Sequence, residues 1–156
     1  MNKHKEYMAR AIELSVYNVE RGGGPFGAVI VKDGEIVGEG FNEVTASNDP
    51  TAHAEVVAIR NAARKLQNFD LSGCTIYTSC EPCPMCLGAI YWAKIARMYY
   101  GNTKSDADRI GFNDDFIYRE IDKPLGERQL FSEQLMREEA LVAFRLWKDS
   151  GDKTEY

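Results

Sequence analysis

From Lys3 to Glu20 the apolar residues Tyr7, Met8, Ala11, Ile12 and Val19 fall on one helical stripe, which predicts an amphipathic first helix. Gly22, Gly23, Gly24 and Pro25 end it. Phe26 to Val31 and Glu35 to Phe41 are strand-like runs on either side of Asp33-Gly34, and an Asp-Gly pair in that position predicts a β-hairpin. Asp49 and Pro50 predict the opening of a helix from Thr51 to Leu66. The β-branched and aromatic residues Thr75, Ile76, Tyr77 and Thr78 predict a strand from Cys74 to Thr78. A helix from Pro84 through Leu87, Ala89, Ile90 and Trp92, then a strand from Arg97 to Tyr100, complete an alternation that predicts an α/β layered fold. After Gly101 the pattern predicts a polar loop to Asp115, an extended piece from Phe116 to Ile121 and a helix from Glu133 to Lys148. No linker or repeat interrupts the chain, so one domain over 1–156 is expected.

The 156 residues suffice for one core, and the 44% hydrophobic and 28% charged content is that of an ordinary globular protein. A formal net charge of −5 argues against a partner that is gripped through its phosphates, so nucleic acid is not expected. No apolar run approaches the ~20 residues needed to cross a bilayer. Lys, Glu and Arg are mixed through the first twenty residues, unlike a secretory segment, which points to the cytoplasm. Three of the four cysteines crowd into Cys80 to Cys86, a spacing that suits reduced thiols at a metal better than disulfides.

The candidate chemistry lies in His53-Ala54-Glu55 and in Pro82-Cys83-Pro84-Met85-Cys86, the H-x-E and P-C-x-x-C pattern of zinc-dependent deamination. One imidazole and two thiolates give zinc three protein ligands, the number that leaves a fourth position for water. Pro84 suits the first turn of a helix, which places Cys83 and Cys86 at its positive end and favours their thiolates. His53 and Glu55, two positions apart, would diverge inside a helix and can serve one metal only if the helix end faces it. Glu55 then accepts a proton without being a ligand. Cys80, Cys83 and Cys86 resemble part of an iron–sulfur run, but Ile90 stands where a fourth cysteine is needed. A closed structural zinc site would need a fourth ligand, and His4 is the only other histidine. Gly22 to Gly27 formally matches G-x-G-x-x-G, yet it follows a helix and precedes a strand, the reverse of the dinucleotide-binding context. Cys74 and Cys80 read as small buried residues.

On these motifs, together with Pro25 to Val31 and Asp49 to Glu55, nearly the whole chain resembles the cytidine deaminase-like superfamily, in particular its branch of bacterial guanine deaminases and tRNA adenosine deaminases. The resemblance implies a three-layer α/β/α sandwich around a five-stranded mixed sheet, and one Zn2+ per subunit on His53, Cys83 and Cys86. Gly111 to Glu120, Asp122 to Pro124, Glu155 and Tyr156 look like the guanine-specific members. By that likeness Phe26, Asn42, Trp92, Asp114 and Tyr156 contact a purine, and Asp114 assists Glu55 at the departing amine. Guanosine and tRNA adenosine remain the alternative substrates. The resemblance further implies a homodimer in which an arm over 133–156 is exchanged, so that Tyr156 closes the partner's pocket.

Overall fold

The computed structural model describes residues 2–156, which divide into two compact units, 2–115 and 116–156. The first holds helix α1 (Lys3–Glu20), strands β1 (Gly27–Lys32) and β2 (Glu35–Phe41), the short helix α2 (Val44–Ser47), helix α3 (Ala54–Leu66), strand β3 (Thr75–Cys80), helix α4 (Pro84–Trp92), strand β4 (Arg97–Asn102) and helix α5 (Lys104–Arg109). Helix α6 (Asp114–Asp122) crosses the division, and a 3-10 turn (Leu125–Glu127) and helix α7 (Arg137–Asp149) follow it.

The sheet runs β2-β1-β3-β4, with β1 antiparallel to both neighbours and β3 parallel to β4. It is mixed, as expected, but has four strands among the described residues rather than five. Phe116 to Ile121, read as extended, belongs to α6. Phe116, Ile117, Glu120 and Ile121 are spaced one and four apart, a helical stripe, and Asp114 and Asp115 favour the positive end of the helix.

Both faces of the sheet are covered. Val29, Val31 and Tyr77 pack with Ala11 and Leu14 of α1, while Ala28, Ile30 and Ile76 pack with Ala54, Ala58 and Ala62 of α3 and Ile90 of α4. The alternation along β1 divides its side chains between the two layers. Gly38 and Gly40 sit two apart on β2, where a Cβ would run into the backbone carbonyls of Ala58 and Ala54. Their bare backbone lets α3 lie directly on the strand.

Asp49 and Pro50 do not start α3. The Asp49 carboxylate accepts from the Thr51 N–H at 2.8 Å and from its hydroxyl at 2.6 Å, a local turn that competes with helix, so α3 begins at Ala54 with His53 as its N-cap. Beyond β4, α5 interrupts the expected loop, opened by a capping box between Thr103 and Asp106.

In the second unit, Arg128 donates to the carbonyls of Glu120, Ile121 and Lys123 and so covers the open end of α6. No residue of α7 is buried. Phe131, Leu135 and Phe144 are 84%, 82% and 73% exposed.

Candidate active site and metal centre

The chemistry gathers at the carboxyl end of β3. Because β1 is antiparallel to β3, the start of β1 lies beside that end, and the Gly27 N–H donates to the buried Ser79 hydroxyl at 3.0 Å. The hairpin register pairs Gly27 with Phe41, which places Phe26 and Asn42 just beyond the same edge. Asn18, buried at the end of α1, donates to the carbonyls of Gly24 and Asn42, each at 2.8 Å, and ties the two rims together.

His53 caps α3 and Cys83 caps α4, both with extended backbones, and Pro84 occupies the first turn of α4. Two helix N-termini therefore meet, each presenting its cap side chain. The His53 Nδ1 atom lies 3.5 Å from the Sγ atoms of both Cys83 and Cys86, and the three donor atoms all fall within 4.8 Å of one another. Tetrahedral ligation at ordinary zinc–sulfur and zinc–nitrogen lengths separates S from N by about 3.5 Å. The donor set and its spacing thus fit zinc.

The two thiols differ in a way that the helix dipole does not predict. Cys83 is pulled down to about 4 by hydrogen bonds from the Cys86 thiol and, in second place, from His53. Cys86 is pushed up by that same bond to Cys83, by deeper burial and by the Glu55 carboxylate. The opposite directions arise because two buried negative charges at that distance disfavour each other. His53 is raised by its hydrogen bond to the Cys83 thiolate. Cys80 is raised to about 11, first by burial, and Cys74 is raised for the same reason, in keeping with inert roles.

Glu55 is buried in the first turn of α3, and its Oε1 atom accepts a hydrogen bond from the Thr78 hydroxyl at 2.9 Å. Burial raises its carboxyl above the usual range. A cavity of about 280 Å3 opens in front of it, walled by His53, Cys83, Phe26, Asn42 and Asp114. Asp114 is half-buried, and its carboxyl is raised by burial and then by the neighbouring Cys83 thiolate. Asn42 Oδ1 accepts from the Val44 N–H at 3.1 Å, which leaves its amide N–H groups for the cavity.

Residues 1–102 match the family model of the cytidine and deoxycytidylate deaminase zinc-binding region. A guanine deaminase of Bacillus subtilis is 53% identical over 154 residues, covering 98% of this chain and 99% of that protein. The chain belongs to the guanine deaminase family. A solved structure of guanine deaminase from Bacillus subtilis superposes with a TM-score of 0.96 at 54% identity, over 100% of this chain and 99% of the other. The tRNA-specific adenosine deaminase of Haemophilus influenzae is more distant, at 41% identity over 117 residues, with 72% of this chain and 68% of that one covered. This guanine deaminase relative is a zinc-dependent aminohydrolase, and His53, Cys83 and Cys86 form its candidate metal site.

One aromatic residue that the resemblance singles out, Trp92, is not among the residues lining the cavity. Trp92 is the last residue of α4 and is 70% exposed. It lies six positions beyond Cys86, or about 9 Å along the axis, so the helix that brings the thiol to the site carries the indole away. Tyr156 lies in the second unit and is 72% exposed there. Phe112 supplies an aromatic wall that sequence reasoning missed, meeting Phe26 edge-on with ring centroids 4.9 Å apart. Glu81 also lines the cavity, its carboxylate accepting from the Lys104 N–H at 3.0 Å. Only its place inside Cys80-Glu81-Pro82-Cys83 hinted at it.

Proposed function

We propose that this enzyme converts guanine and water into xanthine and ammonia, with Glu55 carrying the protons and Asn42, Phe26 and Asp114 holding the base. The observation that carries the reading is the buried Glu55 carboxyl set beside three zinc-type donors at the wall of a base-sized cavity. Zinc on His53, Cys83 and Cys86 supplies a Lewis acid that makes water a nucleophile near neutral pH. The water oxygen adds to the ring carbon bearing the amine while Glu55 takes one water proton and delivers it to the adjacent ring nitrogen. Glu55 then passes the second water proton to the amine, the C–N bond breaks, and ammonia leaves as the ring carbonyl forms. A carboxyl whose buried site disfavours its charge is suited to both taking and returning a proton.

The Asn42 amide N–H groups donate to the base edge, the Phe26 ring packs on it, and Asp114 accepts from the amino group that is lost. About 280 Å3 is at the low end for small-molecule sites and favours a single heterocycle over a nucleoside. The net charge of −5 disfavours a tRNA substrate. The acting form is a cytoplasmic homodimer in which the arm over 133–156 is exchanged and Tyr156 closes the partner's pocket. The unburied apolar side chains of α7 support that reading, since such a face gains from being covered. No helix among the described residues is long and apolar enough to cross a membrane.

Ammonia release across guanine, guanosine, adenine, cytosine and a tRNA anticodon stem tests the assignment. Guanine is expected to turn over fastest. Faster release from guanosine or from the tRNA stem would replace it as substrate.

A further inference from the structure

Thr78 is a polar side chain in an apolar row. On the face of β3 that meets α3, positions alternate as Ile76, Thr78, Cys80, all buried, and Thr78 pairs with Ala28 of β1. Valine has the same shape and an equal preference for strands, so burial alone does not call for a hydroxyl. A buried hydroxyl is costly unless it is hydrogen-bonded. Here it faces two acceptors, Glu55 Oε1 at 2.9 Å and the Cys80 carbonyl at 3.0 Å, and only the first belongs to another element.

Glu55 sits on a helix, two residues beyond the metal-facing cap, on a side chain with three rotatable bonds. Proton transfer requires one of its oxygens to stay within hydrogen-bond reach of both water and base. Something must fix the carboxyl. The strand supplies a β-branched anchor whose rotamer is stiff, held between its own chain's carbonyl and the Glu55 carboxyl.

We propose that the Thr78 hydroxyl is a positioning group for Glu55: beside the backbone N–H and the Cys86 thiol that also bond this carboxyl, it ties Oε1 to β3 and so orients a carboxyl that lines the cavity. Thr78 is not among the residues that line the cavity, so it acts through its two partners, Glu55 and the Cys80 carbonyl at the strand end that leads to Cys83, and zinc content separates the second route from the first. The inference rests on Glu55 being the proton carrier, as proposed above.

Zinc-loaded wild type, Thr78→Val, Thr78→Ser and Glu55→Gln are compared by steady-state turnover of guanine, with zinc content measured for each. Thr78→Val is expected to lose about tenfold or more in kcat at nearly unchanged KM and full zinc content, the effect of removing a hydrogen bond to a charged group. Thr78→Ser is expected to restore most of that loss, because it returns the hydroxyl without the methyl. If Thr78→Val does not fold, Thr78→Ala against Thr78→Ser makes the same comparison. A valine variant within about twofold of wild-type kcat, a serine variant as slow as the valine one, or a loss wholly explained by missing zinc would each overturn the proposal. Full turnover by Glu55→Gln would instead overturn the proton-carrier reading, a result distinct from any failure at Thr78.

Discussion

His53 and Glu55 can face one centre because the first is the cap of α3 and the second lies in its opening turn. At a helix end, unlike its interior, residues two apart can face the same point, because the cap backbone is still extended. The proposed function gives ligation to His53 and proton transfer to Glu55, so the two roles separate experimentally. Glu55→Gln is expected to keep its zinc while turnover falls about 10²- to 10⁴-fold, measured as metal content and ammonia release on the same sample. Far from the site, Arg10 binds Glu39 through two parallel hydrogen bonds of 2.8 Å, joining α1 to β2. That pairing holds the Glu39 carboxyl below its ordinary value of 4.5. Its stabilisation is therefore present above that value and lost as pH falls through the lower folded one. Urea unfolding of wild type and Glu39→Gln should differ by about 1 kcal/mol or less at neutral pH, given the exposure of the pair, and converge once Glu39 is protonated.

At the scale of elements, legibility followed periodicity. The helix from Lys3 to Glu20 and the Asp33-Gly34 hairpin carry local signals strong enough to read directly, and both form as expected. Asp49 and Pro50 mislead because an Asp side chain that bonds the backbone two residues on makes a turn as readily as it caps a helix. The α6 segment misleads because a short apolar run fits strand or helix, and only the spacing of Phe116, Ile117, Glu120 and Ile121 separates the two. The candidate metal site of His53, Cys83 and Cys86 is legible from motif alone. The Phe112 wall was not, since it depends on where a loop returns in space. Gly38 and Gly40 likewise mean little in sequence, yet they set how closely α3 approaches β2. Gly40→Val should lower stability by about 1–3 kcal/mol in thermal or urea unfolding, because the helix backbone must back away. Stability unchanged by that substitution would show that α3 has room to move.

At the scale of the whole molecule, the second unit leaves much of its apolar surface open, and sequence periodicity cannot say which chain covers an amphipathic helix. If the arm over 133–156 is exchanged, sedimentation should show a dimer. Removal of Tyr156 should then weaken guanine handling, seen as a raised KM, while leaving zinc in place; unaltered kinetics would exclude Tyr156 from the pocket. This member of the guanine deaminase family is a zinc-dependent aminohydrolase, and its dependence on the metal can be measured on the protein itself. The decisive measurement is ammonia release from guanine by one sample before chelation, after zinc removal and after zinc is restored. Activity, loss and recovery are expected in parallel with metal content, whereas full ammonia release from zinc-free protein would show that the reaction needs no metal.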